Sequence, residues 1–137
     1  MSQYLLDTNV LSEVRKSPAR RNAGAAAWAG HLDPADALVS AITMSELATW
    51  VRRVERKDTA QGALLRQWFT ESVLGGFPVL PVDAEVAVVA GELHVPDPRS
   101  YRDAFIAATA IVHGLTVATR NTRDFEPTGV AVINPFS

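Results

Sequence analysis

Apolar residues gather early in Tyr4-Leu5-Leu6, stop at Asp7, and resume after polar Thr8 and Asn9 at helical spacing in Val10, Leu11 and Val14. That pattern predicts a first β-strand ending in an acid, a tight turn and a helix. Residues 22–32 predict a helix with Trp28 and Leu32 inward, broken by Asp33-Pro34. Residues 37–42 read as a second strand, and Thr43 opens a helix with Met44, Leu47, Ala48, Val51 and Val54 along one side. After Asp58 a further helix sets Leu64, Leu65, Trp68, Phe69 and Val73 at amphipathic spacing and ends at Gly75-Gly76. Val79-Leu80 reads as a brief strand, and Asp83 as the cap of a helix carrying Val86, Val89, Ala90 and Leu93.

Pro96-Asp97-Pro98 forces a loop. Residues 101–113 form a nearly all-apolar helix whose alanines allow close packing, with Gly114 suited to its C-cap and His113 to its negative end. Residues 115–119 read as a strand, 120–126 as a polar turn and 130–133 as a final strand. Strands alternate with helices throughout, which predicts an α/β fold with a mainly parallel sheet, as a single domain over residues 1–137.

Composition narrows the class. At 137 residues and 47% hydrophobic, the chain can bury a proper core without staples. It has no cysteine, which excludes disulfides, thiolate zinc sites and cysteine nucleophiles. No basic segment precedes the first apolar run, and no apolar stretch is long enough for a membrane span, so a soluble cytoplasmic protein is expected. A net charge of −2 argues against a generic nucleic-acid coat protein. Only Lys16 and Lys57 of the 13 basic residues are lysines, and the bases cluster at residues 15–21, at 52–57 and around two acids near the C-terminus. Arginine suits bidentate contact with phosphate or carboxylate; a solvated helix face is the other reading of residues 52–57.

Four acids sit at comparable positions. Asp7 ends the first strand; Glu46 and Asp103 lie in the expected first turns of two helices; Asp124 lies in the turn after residues 115–119. In a parallel sheet, strand carboxyl ends and helix amino ends share one edge, where ligands of open α/β folds bind. Three of the four also have a plain structural explanation. Asp7 can cap the first helix, Thr43-x-x-Glu46 has the form of a capping box, and Ser100-x-x-Asp103 resembles one. Taken together, four carboxylates on one edge need a counter-charge, because two of them 4 Å apart repel by roughly 4 kcal/mol at an effective dielectric near 20. Oxygen-only ligands point to magnesium or manganese rather than zinc. Such a cation, with arginines nearby, suits phosphodiester hydrolysis, and Thr8, Thr119 and Asn121 are placed to orient water or carboxylates.

Other chemistries have less behind them. The chain lacks a glycine-rich phosphate loop followed by lysine, a nucleophile elbow and an HExxH motif. His31, His94 and His113 show no ligand spacing. Asp7-Thr8-Asn9 has the look of an aspartyl-phosphate start, but position 9 is not acidic and neither lysine is suitably placed.

The stretches YLLDTNVLSE, AITMSELA, RDAFIAATAIVHGLTVATRNTRDF and VAVINPF, in that order, resemble PIN-domain ribonucleases, most closely VapC-type toxins of toxin–antitoxin pairs, including the FitB-like branch. The resemblance implies a three-layer α/β/α fold and a magnesium- or manganese-dependent endoribonuclease. Carried over one at a time, the family's acids fall on Asp7, Glu46, Asp103 and Asp124, with the first and third the firmest metal ligands; many relatives carry an acid where Asn121 stands. It also implies an RNA substrate, a homodimer, and an antitoxin that wraps the toxin and occludes the acids, often through a basic side chain. Two other functions are compatible with the sequence: a housekeeping PIN nuclease of RNA maturation, and a PIN-fold module that binds RNA or a partner without cleaving.

Overall fold

The computed structural model describes residues 2–137; Met1, the first residue of the expected domain, lies outside the described residues. Five short strands form one sheet in the order β3-β2-β1-β4-β5, every neighbouring pair parallel. They are β1 (Tyr4–Leu6), β2 (Ala37–Ser40), β3 (Val79–Leu80), β4 (Thr116–Ala118) and β5 (Val132–Ile133). Between them run α1 (Thr8–Arg15), α2 (Ala23–His31), α3 (Ala41–Lys57), α4 (Thr59–Trp68), α5 (Ala84–Glu92), α6 (Tyr101–His113) and the single turn α7 (Thr122–Phe125).

Side chains alternate across each strand, so the two faces of the sheet feed two cores. Leu6, Ala37, Val39 and Ala118 meet Val10 and Leu11 of α1, Leu47 and Val51 of α3 and Leu65 of α4 on one side. Leu5 and Val117 meet Ile106, Ala107 and Ala110 of α6 together with Phe125 on the other. Both faces are covered, which gives the three-layer α/β/α architecture and explains why the strands read as nearly continuous apolar runs. Burying each such Leu or Val contributes about 1.5–3 kcal/mol before chain entropy is counted. The alanines of α6 let it pack closely, and Ala104 and Ala108 also seat Val86 and Ala90 of α5.

Several boundaries differ from the apolar pattern. Beyond α4 the helix continues as a π-helical segment, Phe69–Leu74. Leu64 is exposed, because α4 meets the core through Gly62 and Leu65, and the π-helical segment through Phe69 and Val73. Gly62 is where α4 crosses α3: a Cβ there would stand 2.5 Å from the Cα of Glu55. The expected polar turn at 120–126 contains α7, followed by a 3-10 turn at Glu126–Thr128. Gly114 caps α6 at φ 66°, a left-handed conformation that glycine adopts without strain.

The site follows from the topology. From β1 the chain moves through α1 and α2 to β2, then outward to β3; it returns through α6 to β4 on the opposite side of β1. Helices leave the two neighbours β1 and β4 on opposite faces, so a crevice opens between their carboxyl ends. Asp7 stands there, its N–H donating to the carbonyl of Ala118 at 2.9 Å.

Candidate metal centre

Asp7 both caps α1 and lies in the crevice. Its Oδ1 accepts the N–H of Thr8 at 2.8 Å, as an N-cap does, yet its side chain has no solvent exposure. Oδ2 accepts the Thr119 hydroxyl at 2.8 Å. Thr119 Oγ1 is in turn a hub: it accepts from Asn9 Nδ2 at 3.2 Å and from the N–H of Asn121 at 3.0 Å. Asn9 closes the bracket by accepting the N–H of Arg120 at 3.0 Å. The turn after β4 is thus tied to the turn after β1.

Glu46 lies one turn deeper in its helix than the sequence suggested. The N-cap of α3 is Ser40, whose hydroxyl accepts the N–H of Ile42 at 3.0 Å. The Thr43–Glu46 capping box therefore does not form. Thr43 is buried inside the helix, its hydroxyl without a hydrogen-bond partner among the described residues. Released from capping, Glu46 accepts the Thr8 hydroxyl at 2.8 Å through Oε1.

The second expected box forms by half. Ser100 caps α6 by accepting the N–H of Asp103 at 3.1 Å. The carboxylate of Asp103 turns instead to Arg102.

Arg102 is the centre of the arrangement. Its Nε donates to Glu46 Oε2 at 2.6 Å, its Nη1 to Asp103 Oδ1 at 2.8 Å, and its Nη2 to Asp7 Oδ1. All three guanidinium nitrogens are engaged, each with a different carboxylate. Burial alone would lower the affinity of this guanidinium for its proton; the Glu46 hydrogen bond and the charges of Asp7 and Glu46 reverse that and hold it above the ordinary arginine value. In the sequence Arg102 is, with Arg99, Arg120 and Arg123, simply one of the bases around the two C-terminal acids. A sharper signal was present: Arg102 occupies the first turn of α6, the positive end of a helix, where a cation is disfavoured unless acids surround it.

Asp124 lies in the turn after β4. It is exposed in α7, where it lines an open depression of about 300 Å³ with Arg120, Asn121, Thr122 and Arg123. Among the described residues, no hydrogen bond or ion pair joins its carboxylate to the Arg102 centre. Asn121 is the N-cap residue of α7 and faces Thr119 through its backbone N–H. The structure therefore brings together Asp7, Glu46 and Asp103 around Arg102, with the Thr119 and Thr8 hydroxyls supporting Asp7 and Glu46, and bonds Asp124 to none of them among the described residues.

Three carboxylates around one guanidinium leave a formal excess of two negative charges. The donors are hard oxygens, the chemistry that magnesium and manganese take. Yet no group of three or more acids or histidines among the described residues is set to hold a metal ion as it stands. The point the three carboxylates share is filled by Arg102. The donor set fits a divalent cation in charge and in kind, with the guanidinium moved aside.

The profile of the family described as "PIN domain" matches residues 4–129. Over 145 aligned residues the chain is 37% identical to "Toxin FitB" of Neisseria gonorrhoeae, covering 96% of this chain and 97% of that protein. It is 33% identical over 144 residues to "VapC ribonuclease Y4jK" of Sinorhizobium fredii, covering 96% of each. The crystal structure of FitAcB from Neisseria gonorrhoeae superposes with a TM-score of 0.88 at 36% identity, over 97% of this chain and 98% of that one.

Proposed function

The chain belongs to the PIN-domain family, and we propose that it is a metal-dependent endoribonuclease, the toxin of a toxin–antitoxin pair. The observation that carries this reading is the convergence of Asp7, Glu46 and Asp103 on one point in the β1/β4 crevice. The names of two relatives, a toxin and a VapC ribonuclease, support it. In this reading Asp7, Glu46 and Asp103 hold magnesium or manganese, and Asp124 acts as an outer acid of the same site. When bound, the ion supplies polarisation of a phosphoryl oxygen and acidification of a water.

The remaining work falls to the chain. Thr119 and the Thr8 N–H fix the two oxygens of Asp7, so its carboxylate enters the site without reorganisation. The Thr8 hydroxyl fixes Glu46 across the groove between α1 and α3. The bracket of Asn9, Thr119 and Asn121 sets the distance between the β1 and β4 turns, and hence the width of the crevice a phosphodiester enters. Outside the site, the reading includes an RNA substrate, a cognate antitoxin, a homodimer and one domain spanning residues 1–137. A cytoplasmic location belongs to it as well. No helix among the described residues is long and apolar enough to cross a membrane.

One observation favours a second reading. Arg102 already neutralises part of the acid cluster, as a PIN module that binds RNA without cleaving it would allow. Cleavage of total cellular RNA by the purified, antitoxin-free chain separates the two. Magnesium, manganese and EDTA are run in parallel with Asp7→Asn and Asp103→Asn. Discrete fragments that need metal and vanish in both variants support the nuclease. Metal binding without cleavage of any RNA supports the binding module.

A further inference from the structure

We propose that Arg102 is the chain's own counter-ion for the site, and that a divalent cation loads by displacing its guanidinium from Asp7, Glu46 and Asp103. This rests on the metal-dependent reading above and adds a defined competitor to it.

The argument begins with placement. Arg102 lies in the first turn of α6, where the helix dipole opposes a positive charge. What holds it there is the set of three carboxylates, one to each guanidinium nitrogen. The holding is charge-assisted and directional, the strong class of hydrogen bond. It is nevertheless unbalanced: one positive charge faces three negative ones, two of them on side chains that are 0% and 17% exposed. A divalent cation at the same point brings twice the charge and none of the side-chain ordering.

The acids and the arginine differ in how firmly they are fixed. Asp7 is held by Thr8 and Thr119, and Glu46 by Thr8, through bonds that do not involve Arg102. The Arg102 side chain is 30% exposed, so it has a way out to solvent. The carboxylates of Asp7 and Glu46 therefore stay in place when the guanidinium leaves, while that of Asp103, bonded to Arg102, is released to meet the ion. Arg102 is a positioning residue: without metal it keeps mutually repelling acids together, and it sets a threshold concentration of cation below which the site stays closed.

The test is the affinity of the full chain for Mn2+, read by electron paramagnetic resonance of the free ion, in the parent, Arg102→Gln and Arg102→Lys. Competition makes a definite prediction of sign. Arg102→Gln binds Mn2+ roughly ten-fold more tightly than the parent, a coupling of ordinary size for two ligands of one site. Arg102→Lys falls between them. The metal-free Arg102→Gln protein melts at a lower temperature than the parent, and Mn2+ restores the difference. A purely structural arginine predicts the reverse, weaker Mn2+ binding in Arg102→Gln, and that result overturns the displacement.

A second measurement needs no variant. In the parent labelled with 15N-arginine, the Arg102 Nε–H gives a distinct resonance while it donates to Glu46. Mg2+ then moves it into the envelope of solvent-exposed arginines. A resonance unmoved at Mg2+ concentrations that saturate the thermal shift overturns the proposal while leaving the metal site intact. Absence of metal binding in every protein overturns the metal-dependent reading and the displacement with it.

Discussion

Helix α1 carries a buried acid near each end, and the two are resolved in opposite ways. Asp7, at its N-terminus, is 0% exposed; Glu13, toward its C-terminus, is 6% exposed. Glu13 is matched. Its Oε1 pairs with Lys16 Nζ at 2.9 Å, and its Oε2 accepts the N–H of Asn22 at 2.8 Å. One acid meets one base and one backbone donor, and the result pins the segment after α1 to the start of α2. Asp7 belongs to a set of three carboxylates that share one guanidinium. Burial of an acid therefore does not distinguish a structural residue from a site residue on this helix. Charge left uncompensated does.

The largest expected effect breaks that pair apart. Asp7→Asn keeps a competent N-cap and removes one of the converging carboxylates; RNA cleavage falls by about 100-fold or more, the upper range for outer supports of metal sites being a lower bound for a ligand. Glu13→Gln leaves cleavage within about two-fold of the parent, as a substitution remote from a site does. Cleavage rates of the two variants on one RNA, at saturating metal, make the comparison. Equal losses would mean that α1 acts only as a scaffold.

The next effect is on support rather than ligation. Thr119→Val removes the hydroxyl that donates to Asp7 and accepts from Asn9 and Asn121. Supports of this kind typically change metal affinity or activity 10- to 100-fold, and about ten-fold is expected here. Thr119→Ser, which keeps the hydroxyl, restores most of it. Mn2+ affinity measured on all three proteins separates loss of the bond from loss of the methyl group.

At Glu13 the readout is stability against pH. The Asn22 N–H, and then the Lys16 ammonium, hold its carboxyl below the usual carboxylate value of 4.5. A lowered folded value means that the stabilisation is fully present above the unfolded value and is lost as pH falls through the folded one. Glu13→Gln should therefore melt below the parent at neutral pH. The gap should narrow only in the acid range, below 4.5. Melting curves from pH 7 down to about pH 3 test it; a gap that persists unchanged in acid would assign the loss to packing.

The contrast between the two acids was only partly legible in the sequence. The parallel α/β frame placed Asp7, Glu46 and Asp103 on one edge because strand ends and helix starts must share it. Helix α6 was readable at both ends, since Ser100 is a cap acceptor and Gly114 a left-handed terminator, with a nearly all-apolar run between them. The start of α3 was not. Ser40 caps it from within what reads as strand, and apolar Ile42 carries the strand pattern into the helix. Single-turn α7 is too short to show a period. Lys16 pairing with Glu13 follows helical spacing, but the Asn22 N–H comes from the next element and has no sequence signal. Arg102 was half legible for a related reason: Asp103 is its neighbour in α6, but Asp7 and Glu46 come from other elements.

The smallest expected effect sharpens the rule drawn from Asp7 and Glu13. By sequence position Asp124 ranks with the other three acids; by geometry it is exposed in α7 and unconnected to Arg102. If uncompensated charge at the shared point defines the site, Asp124→Asn should change Mn2+ affinity by less than about three-fold, well short of the change a ligand carries. Its effect on RNA cleavage should likewise stay below that of Thr119→Val. Arg120 and Arg123 line the same depression as Asp124, so positive charge stands near its carboxylate without the ion pair that Lys16 makes with Glu13. A loss as large as that of Asp7→Asn, with the fold intact by circular dichroism, would place α7 in motion on metal binding. Asp124 would then be a fourth ligand recruited from outside, and the resting geometry would describe only the closed, arginine-filled state.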